Sequence, residues 1–373
     1  MTRVVVALDS FKGSIGAAAA VDAVARGWRE VDPDAVVRSR PMADGGEGTL
    51  DAFAAAVPDA TRMPVTVRGP HGRDVAASWL LLPDREGAGA SEGTGATGVV
   101  ELASTSGIEL LGVERRPWDA DTFGFGQAIA AALDHDVDRL VLGIGSSAST
   151  DGGVGLLVAL GAAFVDADGR PVAPGARGMA EVVAVDLTGL RPLPPGGATV
   201  LTDVTNPLVG PQGAAAVFGP QKGVTGDEVP VVDAALARLA GALGGDPAAP
   251  GAGAAGGTGF ALARWGAQLR PGADDVAALI GLDEALADAD LVVTGEGSFD
   301  GQSAAGKVPS LVAARARAAG VPVALVAGRV APDADTSAFV AVVALAELAG
   351  SAEASFADPA PWLRAAGRYL ASR

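Results

Sequence analysis

Both ends of the chain alternate short β-branched runs with alanine-rich helical stretches, and this alternation restricts the fold more than any other feature. Arg3 to Leu8 reads as a strand, Asp9-Ser10-Phe11-Lys12-Gly13-Ser14 as turn chemistry, and Ala17 to Trp28 as a helix that Ser14 is placed to cap. Val36 to Arg40 is the next strand, and a further helix is expected near Thr49 to Ala56. A strand, a crossover helix and another strand in that order imply parallel pairing. The C-terminal stretch returns to the pattern, with strands at Leu291 to Thr294, Val323 to Val326 and Phe339 to Leu345. Its helices are expected at Ser310 to Ala319 and near Pro361 to Leu370.

Between the two ends the period changes. Val65 to Val67, Val75 to Leu82 and Val99 to Leu102 read as strands separated by Gly/Pro turns, as in hairpins, with a Gly/Ala-rich loop from Glu86 to Gly98. Helix then strand resumes at Phe125 to Leu133 and Arg139 to Leu142. Strands near Val182 to Val185 and Thr199 to Leu201 follow, then a helix from Val229 to Leu243. Gly244 to Gly259 is a small-residue tract without periodicity. At about 150 residues per domain, 373 residues suggest two or three domains. The expected architecture is α/β: a parallel domain from residues 1–64 and 275–373, and an inserted mixed α+β domain, 65–274. A ligand cleft is expected between them.

Composition removes whole classes of function. The chain has 27 Lys and Arg against 44 Asp and Glu, a net charge of −17, and no basic block. So acidic a chain repels phosphate backbones and anionic lipid, which argues against nucleic-acid and membrane-surface partners. With no cysteine, and His71 and His135 as the two histidines, disulfides, thiol nucleophiles, iron–sulfur clusters and thiolate zinc sites drop out. The N-terminal apolar run is too short for a signal peptide, and none approaches the ~20 residues that span a bilayer. A soluble, cytoplasmic protein is expected, and the composition is compatible with a homodimer.

Several glycine patterns match familiar motifs in spacing but not in context. Gly89-Ala90-Ser91-Glu92-Gly93 has nucleophile-elbow spacing in a Gly/Ala loop instead of a strand–turn–helix. Gly143-Ile144-Gly145-Ser146-Ser147-Ala148 follows a strand and precedes a helix, approximating a dinucleotide fingerprint. It continues as Ser149-Thr150-Asp151-Gly152-Gly153, whose hydroxyls and carboxylate suit phosphate and metal better. Gly251 to Gly256 has the same pattern with no strand before it, although its small residues can let backbone amides approach a ligand near a helix start. Gly301 to Lys307 has Walker A spacing, but Val308 replaces the metal-binding hydroxyl. A lysine beside a glycine turn at a helix start still suits a phosphate.

The polar loops share a theme. Asp9 to Lys12, Asp44-Gly45-Gly46-Glu47, Asp203-Val204-Thr205-Asn206 and Gly295 to Asp300 each follow an expected strand. In parallel α/β sheets the ligand crevice lies at the carboxyl ends of strands. Lysines for phosphate charge and carboxylates for magnesium or a base are what phosphoryl transfer requires. Turn formation alone accounts for any one of these loops, but their joint occurrence favours function. Asp9, Asp44, Asp203 and Asp300 are expected to face one cleft.

At these residues the sequence resembles the glycerate kinase family of bacterial glyoxylate and glucarate catabolism. The likeness covers ALDSFKGS at Ala7 to Ser14, PMADGGEGT at Pro41 to Thr49 and GIGSSASTDGG at Gly143 to Gly153. It continues through DVTNPLVGPQGAAAVFGPQKG at Asp203 to Gly223, PGAGAAGG at Pro250 to Gly257 and TGEGSFDGQSAAGKVP at Thr294 to Pro309. The resemblance implies a kinase dependent on ATP and Mg2+ that gives 2-phosphoglycerate, with a Rossmann-like domain and an inserted second domain. The chain departs from the family pattern at Ser147, where a glycine is usual, at Ser149-Thr150, and at Ser298, where an arginine is usual.

On that expectation Lys12, Asp203 and Asp44 are the catalytic candidates. Lys12 is the cation for the transferred phosphate or the substrate carboxylate, and Asp203 positions or deprotonates the D-glycerate hydroxyl, helped by partial burial. Ser10, Gly45, Glu47, Asn206, Ser146 and Asp151 are expected around the substrate. Lys222, Gly253, Gly256, Gly295 and Lys307 are expected around the nucleotide, and Glu296 with Asp300 as magnesium ligands. A kinase of a related small hydroxy acid, a non-catalytic nucleotide- or metabolite-binding paralogue, and a dehydrogenase are the alternatives.

Overall fold

The computed structural model describes residues 1–43, 45–83, 95–301 and 308–373. Its strands are β1 (Arg3–Leu8), β2 (Val36–Ser39), β3 (Thr61–Arg68), β4 (Asp74–Leu82), β5 (Thr97–Glu101), β6 (Arg139–Gly143) and β7 (Ala163–Val165). They continue with β8 (Ala184–Asp186), β9 (Ala198–Leu201), β10 (Gln268–Arg270), β11 (Leu291–Phe299), β12 (Val323–Val330) and β13 (Ala341–Ala344). Two units emerge. Met1–Asp44, Asp51–Pro58 and Ala273–Arg373 form one, and Gly45–Leu50 with Asp59–Gly272 the other.

In the first unit five strands lie in the order β13-β12-β11-β1-β2, all parallel. Strand alternation sends Val4, Val6 and Leu8 to one face. There Ala20, Val21, Val24 and Trp28 of the helix Ala17–Val31 and Leu363, Ala366 and Leu370 of Ala360–Ala371 complete one core. The helix Val308–Ala319 packs against β1 and β11 as well. A parallel sheet covered by helices requires near-continuous apolar strands, which is what the terminal runs supply. The parallel α/β architecture expected of the two chain ends is therefore present.

Two local expectations fail here. β11 does not stop at Thr294: Gly295–Phe299 continues it, paired with β12 as far as Phe299↔Val330. Gly295 lies so close to β12 that a Cβ would strike the Val326 carbonyl oxygen, so this glycine serves close strand contact rather than a turn. Ser14 does not cap the first helix, which starts after Gly16; its Oγ donates instead to the Phe356 carbonyl.

The second unit holds a six-stranded mixed sheet, β10-β9-β6-β5-β4-β3. β3, β4 and β5 pair antiparallel, as the hairpin reading expects, while β5, β6, β9 and β10 run parallel. The three-residue β10 is an addition to the expected strands. The tract Gly244 to Gly259 contains the start of the helix Ala254–Trp265. Ala255, Gly256 and Gly257 sit there at φ 52°, 69° and 93°, and these left-handed residues erase the helical period from the sequence. Trp79, Leu102, Phe125, Ile129, Leu140, Leu142, Leu236 and Leu239 share one core, which the helices Phe123–Leu133 and Val229–Leu243 close. Among the described residues no helix is long and apolar enough to cross a membrane.

Phe125 is fully buried in that core. Phe125→Ala should destabilise the second unit by about 3–5 kcal/mol, through lost burial and the cavity left behind. Urea unfolding followed by fluorescence of Trp79 in the same core measures it, and a loss under about 1 kcal/mol would contradict the packing described.

Candidate active site

The strand order of the first unit reverses between β1 and β11, the place where open parallel sheets leave a crevice for ligands. The Asp9 amide donates to the Gly295 carbonyl at 2.9 Å, which carries the register Leu8↔Gly295 on to Asp9 opposite Glu296. Both residues are buried, at 9% and 8% exposure, on strands about 4.8 Å apart. Two adjacent carboxylates are hard oxygen donors, and Mg2+ takes one or two of these beside phosphate oxygens and water, so the donor set fits that ion. Asp300, the other expected magnesium ligand, follows directly on the end of β11 at Phe299. Among the described residues no group of three or more His, Cys, Asp or Glu is placed to hold a metal ion.

The neighbouring loop is short and anchored. Phe11 and Ile15 bridge each other through backbone bonds of 2.9 and 3.1 Å, and the Phe11 side chain is buried. The turn between them displays Lys12 to solvent, as a phosphate-facing cation requires. Ser10 is half-buried, and its amide donates to Asp9 Oδ1 at 2.7 Å. Position 298, where the resemblance leads one to expect an arginine, holds Ser298. Its Oγ is bonded to Arg329 Nε at 2.9 Å.

In the second unit the carboxyl ends of β6 and β9 gather several of the expected residues. The Gly45 carbonyl accepts the Gly145 amide at 2.9 Å, and Gly45 itself lies against Leu201 at the end of β9. Glu47 is exposed, and three residues on the Leu50 amide donates to the buried Glu101 Oε2 at 3.0 Å. Ser146 is exposed in the left-handed region at φ 58°, its carbonyl accepting the Ile108 amide at 2.8 Å. Such strain costs on the order of 1 kcal/mol and concentrates at functional sites.

Asp203 follows β9 and is exposed, so the partial burial expected for it is absent; its Oδ1 accepts the Gly272 amide at 3.1 Å. Asn206 donates Nδ2 to the Gln212 carbonyl at 2.8 Å, and its own carbonyl accepts the Gly253 amide at 3.0 Å. The Gly256 carbonyl accepts the Gly152 amide at 3.0 Å, and a Cβ on Gly256 would strike Ser149. Asp44, Lys307 and the Gly89 to Gly93 pattern lie outside the described residues.

Two expected ligand contacts turn out to be internal supports. Asp151 is fully buried: Oδ2 accepts from the Thr122 amide and hydroxyl and the Gly155 amide (2.9, 2.8 and 3.1 Å), and Oδ1 from the Gly153 amide at 3.1 Å. A carboxylate so saturated holds the loop to two helix starts and has little capacity left for substrate. Lys222 is 2% exposed and donates at 2.6 Å each to Ser147 Oγ and the Ser149 carbonyl. Burial pushes its ammonium down from 10.5 to about 7, against the attraction of Asp151. In this arrangement it braces the loop from inside. Beside it Ser149 Oγ and Thr150 Oγ1 are buried with no hydrogen-bond partner among the described residues. Such orphaned hydroxyls are uncommon, and each calls for a partner such as a water, an ion or a ligand. Asp121, bonded to Arg68 at 2.6 Å, is raised to about 6 by burial and by the charge of Asp151, while Arg68 opposes the shift.

No single short motif accounts for these loops, but the whole chain matches known proteins. Residues 4–373 fit the model of the glycerate kinase family. The chain belongs to the glycerate kinase family. It is 41% identical over 339 residues to "Glycerate 2-kinase" of Escherichia coli, covering 89% of this chain and 86% of that one. It is 40% identical over 342 residues to "Glycerate kinase" of Bacillus subtilis, with the same coverage. A crystal structure described as putative glycerate kinase 2 from Salmonella typhimurium LT2 matches with a TM-score of 0.82 at 37% identity. That match covers 100% of this chain and 97% of that one. The chain is therefore a kinase enzyme of the glycerate kinase family.

Sequence reasoning left Arg329 and the pairing of Asp9 with Glu296 unassigned. The first had a signal, a Gly-Arg step directly after an apolar strand, whereas the second needed the β1–β11 register. Lys222 generates a prediction within the glycerate kinase fold. A lysine whose folded pKa is depressed contributes stability that is fully present above 10.5 and is lost as pH falls through about 7. The melting temperature of the wild type, relative to Lys222→Met, should therefore rise between pH 7 and 9.5. A constant difference across that range would remove the buried ammonium from the account.

Proposed function

We propose that the protein transfers the γ-phosphoryl group of ATP to the 2-hydroxyl of D-glycerate, giving 2-phosphoglycerate. The observation that carries this reading is the buried Asp9–Glu296 pair at the strand-order reversal, in a chain 41% identical to a protein named glycerate 2-kinase. Bound Mg2+ would neutralise phosphate charge and orient the phosphates, and Asp9 and Glu296 are the residues that would hold it. Lys12, on its anchored turn, places a positive charge where negative charge accumulates on the transferred group. A preorganised cation of this kind stabilises the transition state without reorganising.

Asp203 is the group proposed to hold the glycerate hydroxyl and take its proton. Its carboxylate is fixed by the Gly272 amide and is accessible from solvent, as an acceptor of a substrate proton has to be. Ser10, Gly45, Glu47, Ser146 and the backbone around Asn206 are the proposed substrate surroundings. The orphaned Ser149 and Thr150 hydroxyls, backed by Lys222, are proposed to meet an oxygen of the ligand.

ADP release across a panel of small hydroxy acids, with 31P NMR of the product, tests the reaction. Turnover should be highest on D-glycerate with the phosphate on the 2-oxygen. Turnover on another acid, or ATP binding without turnover, would replace this reading with a related kinase or a non-catalytic relative. In the active protein, Lys12→Ala and Asp203→Asn should each lower kcat at least about a hundredfold. Near-wild-type turnover in a folded variant takes that residue out of the mechanism.

A further inference from the structure

Among the described residues, Arg329 stands at the carboxyl end of β12 without the carboxylate partner that several arginines of its unit have. Arg38, Arg315 and Arg364 each sit on a carboxylate, of Asp288, Asp283 and Glu30 respectively. Arg329 is exposed and makes no such ion pair among the described residues. What holds it is a neutral group: Nε donates to Ser298 Oγ at 2.9 Å, across the register pair Ser298↔Arg329. Bonding through Nε leaves the two terminal amino groups of the guanidinium as forward donors, in the fork geometry that matches two oxygens of one anion.

The register fixes where that fork is carried. Ser298 lies two residues beyond Glu296 on β11, about 6.6 Å along the strand, and the strand period of two returns it to the side of Glu296. Glu296 in turn is opposite Asp9 at the strand-order reversal. On a chain of net charge −17, a cation tethered by a serine two residues beyond Glu296 is arranged for a ligand that brings both negative charge and a metal. A nucleotide polyphosphate with its magnesium has that chemistry, whereas the single carboxylate of a hydroxy acid does not call for metal donors alongside.

The geometry points to Arg329 as a binding residue for the phosphates of the magnesium–nucleotide, oriented by Ser298. This rests on the kinase reaction proposed above for the role of the nucleotide, but binding can be read apart from turnover. Arg329 lies 31 positions from Ser298 in sequence, and only the parallel pairing of β11 with β12 joins them.

The test compares Arg329→Gln, Arg329→Lys and Ser298→Ala with the wild type by calorimetry with Mg–ATP and Mg–ADP, and by ADP release with each substrate varied in turn. Arg329→Gln should weaken Mg–ATP binding and raise the KM for ATP at least about tenfold, with the KM for glycerate within about twofold and the melting temperature unchanged. Arg329→Lys should recover only part of the loss, because an ammonium keeps the charge without the fork. Ser298→Ala should show a smaller loss of the same kind. Unchanged nucleotide binding in Arg329→Gln, or an increase confined to the KM for glycerate, overturns the assignment. Should the wild type bind Mg–ATP without phosphorylating glycerate, the reaction proposed above fails while the calorimetry still decides Arg329. A wild type that binds no nucleotide overturns both.

Discussion

Thr294 Oγ1 donates to the carbonyl of Ala7 at 2.9 Å inside the parallel pairing of β1 with β11, across 287 positions of sequence. Closing a loop that long is less expensive than it looks, since each doubling of length adds only about 0.6 kcal/mol. Most of the intervening chain, from Asp59 to Gly272, belongs to the second unit and has its own sheet and core. The chain is thus a folded excursion more than a floppy loop. The pairing is held by residues with essentially no exposure, Val4, Val5 and Val6 against Val292 and Val293. Each such buried aliphatic side chain is worth about 1.5–3 kcal/mol. A one-residue slip would invert every side chain on β1 and part Asp9 from Glu296. The hydrophobic register of the sheet and the chemistry at its edge are therefore specified by the same contacts.

The parts that were legible in the sequence are those written in local periodicity. The helix Val229–Leu243 runs over the expected residues, and β1, β6 and β9 fall within a residue or so of their expected spans. The antiparallel reading of β3, β4 and β5 held because strand-length apolar runs with Gly/Pro breaks leave few other options. The part that failed did so where glycine has two meanings. Gly295 and Gly297 look like turn formers, yet Gly295 lets β11 lie against β12 and extends the strand to Phe299. Once Glu296 is on a strand, its neighbour across the sheet becomes Asp9. Nothing local to residues 295–300 contains that information.

Lys222 shows a second limit. Its fitness to contact phosphate was inferred from its type and its glycine-rich setting, both of which are properties of the sequence. Its actual partners, Ser147 and the Ser149 carbonyl, lie 75 and 73 positions away. Burial cannot be read from a stretch as short as Pro220–Lys222, where a lysine ordinarily would be at the surface. The same holds for Asp151, whose oxygens are taken by Thr122 and by amides of its own loop. Tertiary packing divides the polar members of these loops into exposed groups and groups that hold the loop still.

That division explains why the second unit buries charge at all. A buried ammonium and a buried carboxylate are poor sources of stability, because desolvation opposes their ionised forms, and the depressed Lys222 and elevated Asp121 express that opposition. What they supply is uniqueness. Ser146 sits at a φ of 58° that a serine does not adopt unaided. The residues after it are pinned by Lys222 through Ser147 and Ser149, and by Asp151 through the helix starts at 123 and 154. An apolar brace of equal volume would pack against this loop but would leave its peptide groups free to turn. The first unit needs no such brace, because its polar residues follow directly from strands whose ladder fixes them. Rigid placement is reached in one unit by backbone pairing and in the other by buried side-chain bonds, and desolvation is borne by Asp9 and Glu296 in the first as it is by Lys222 and Asp151 in the second.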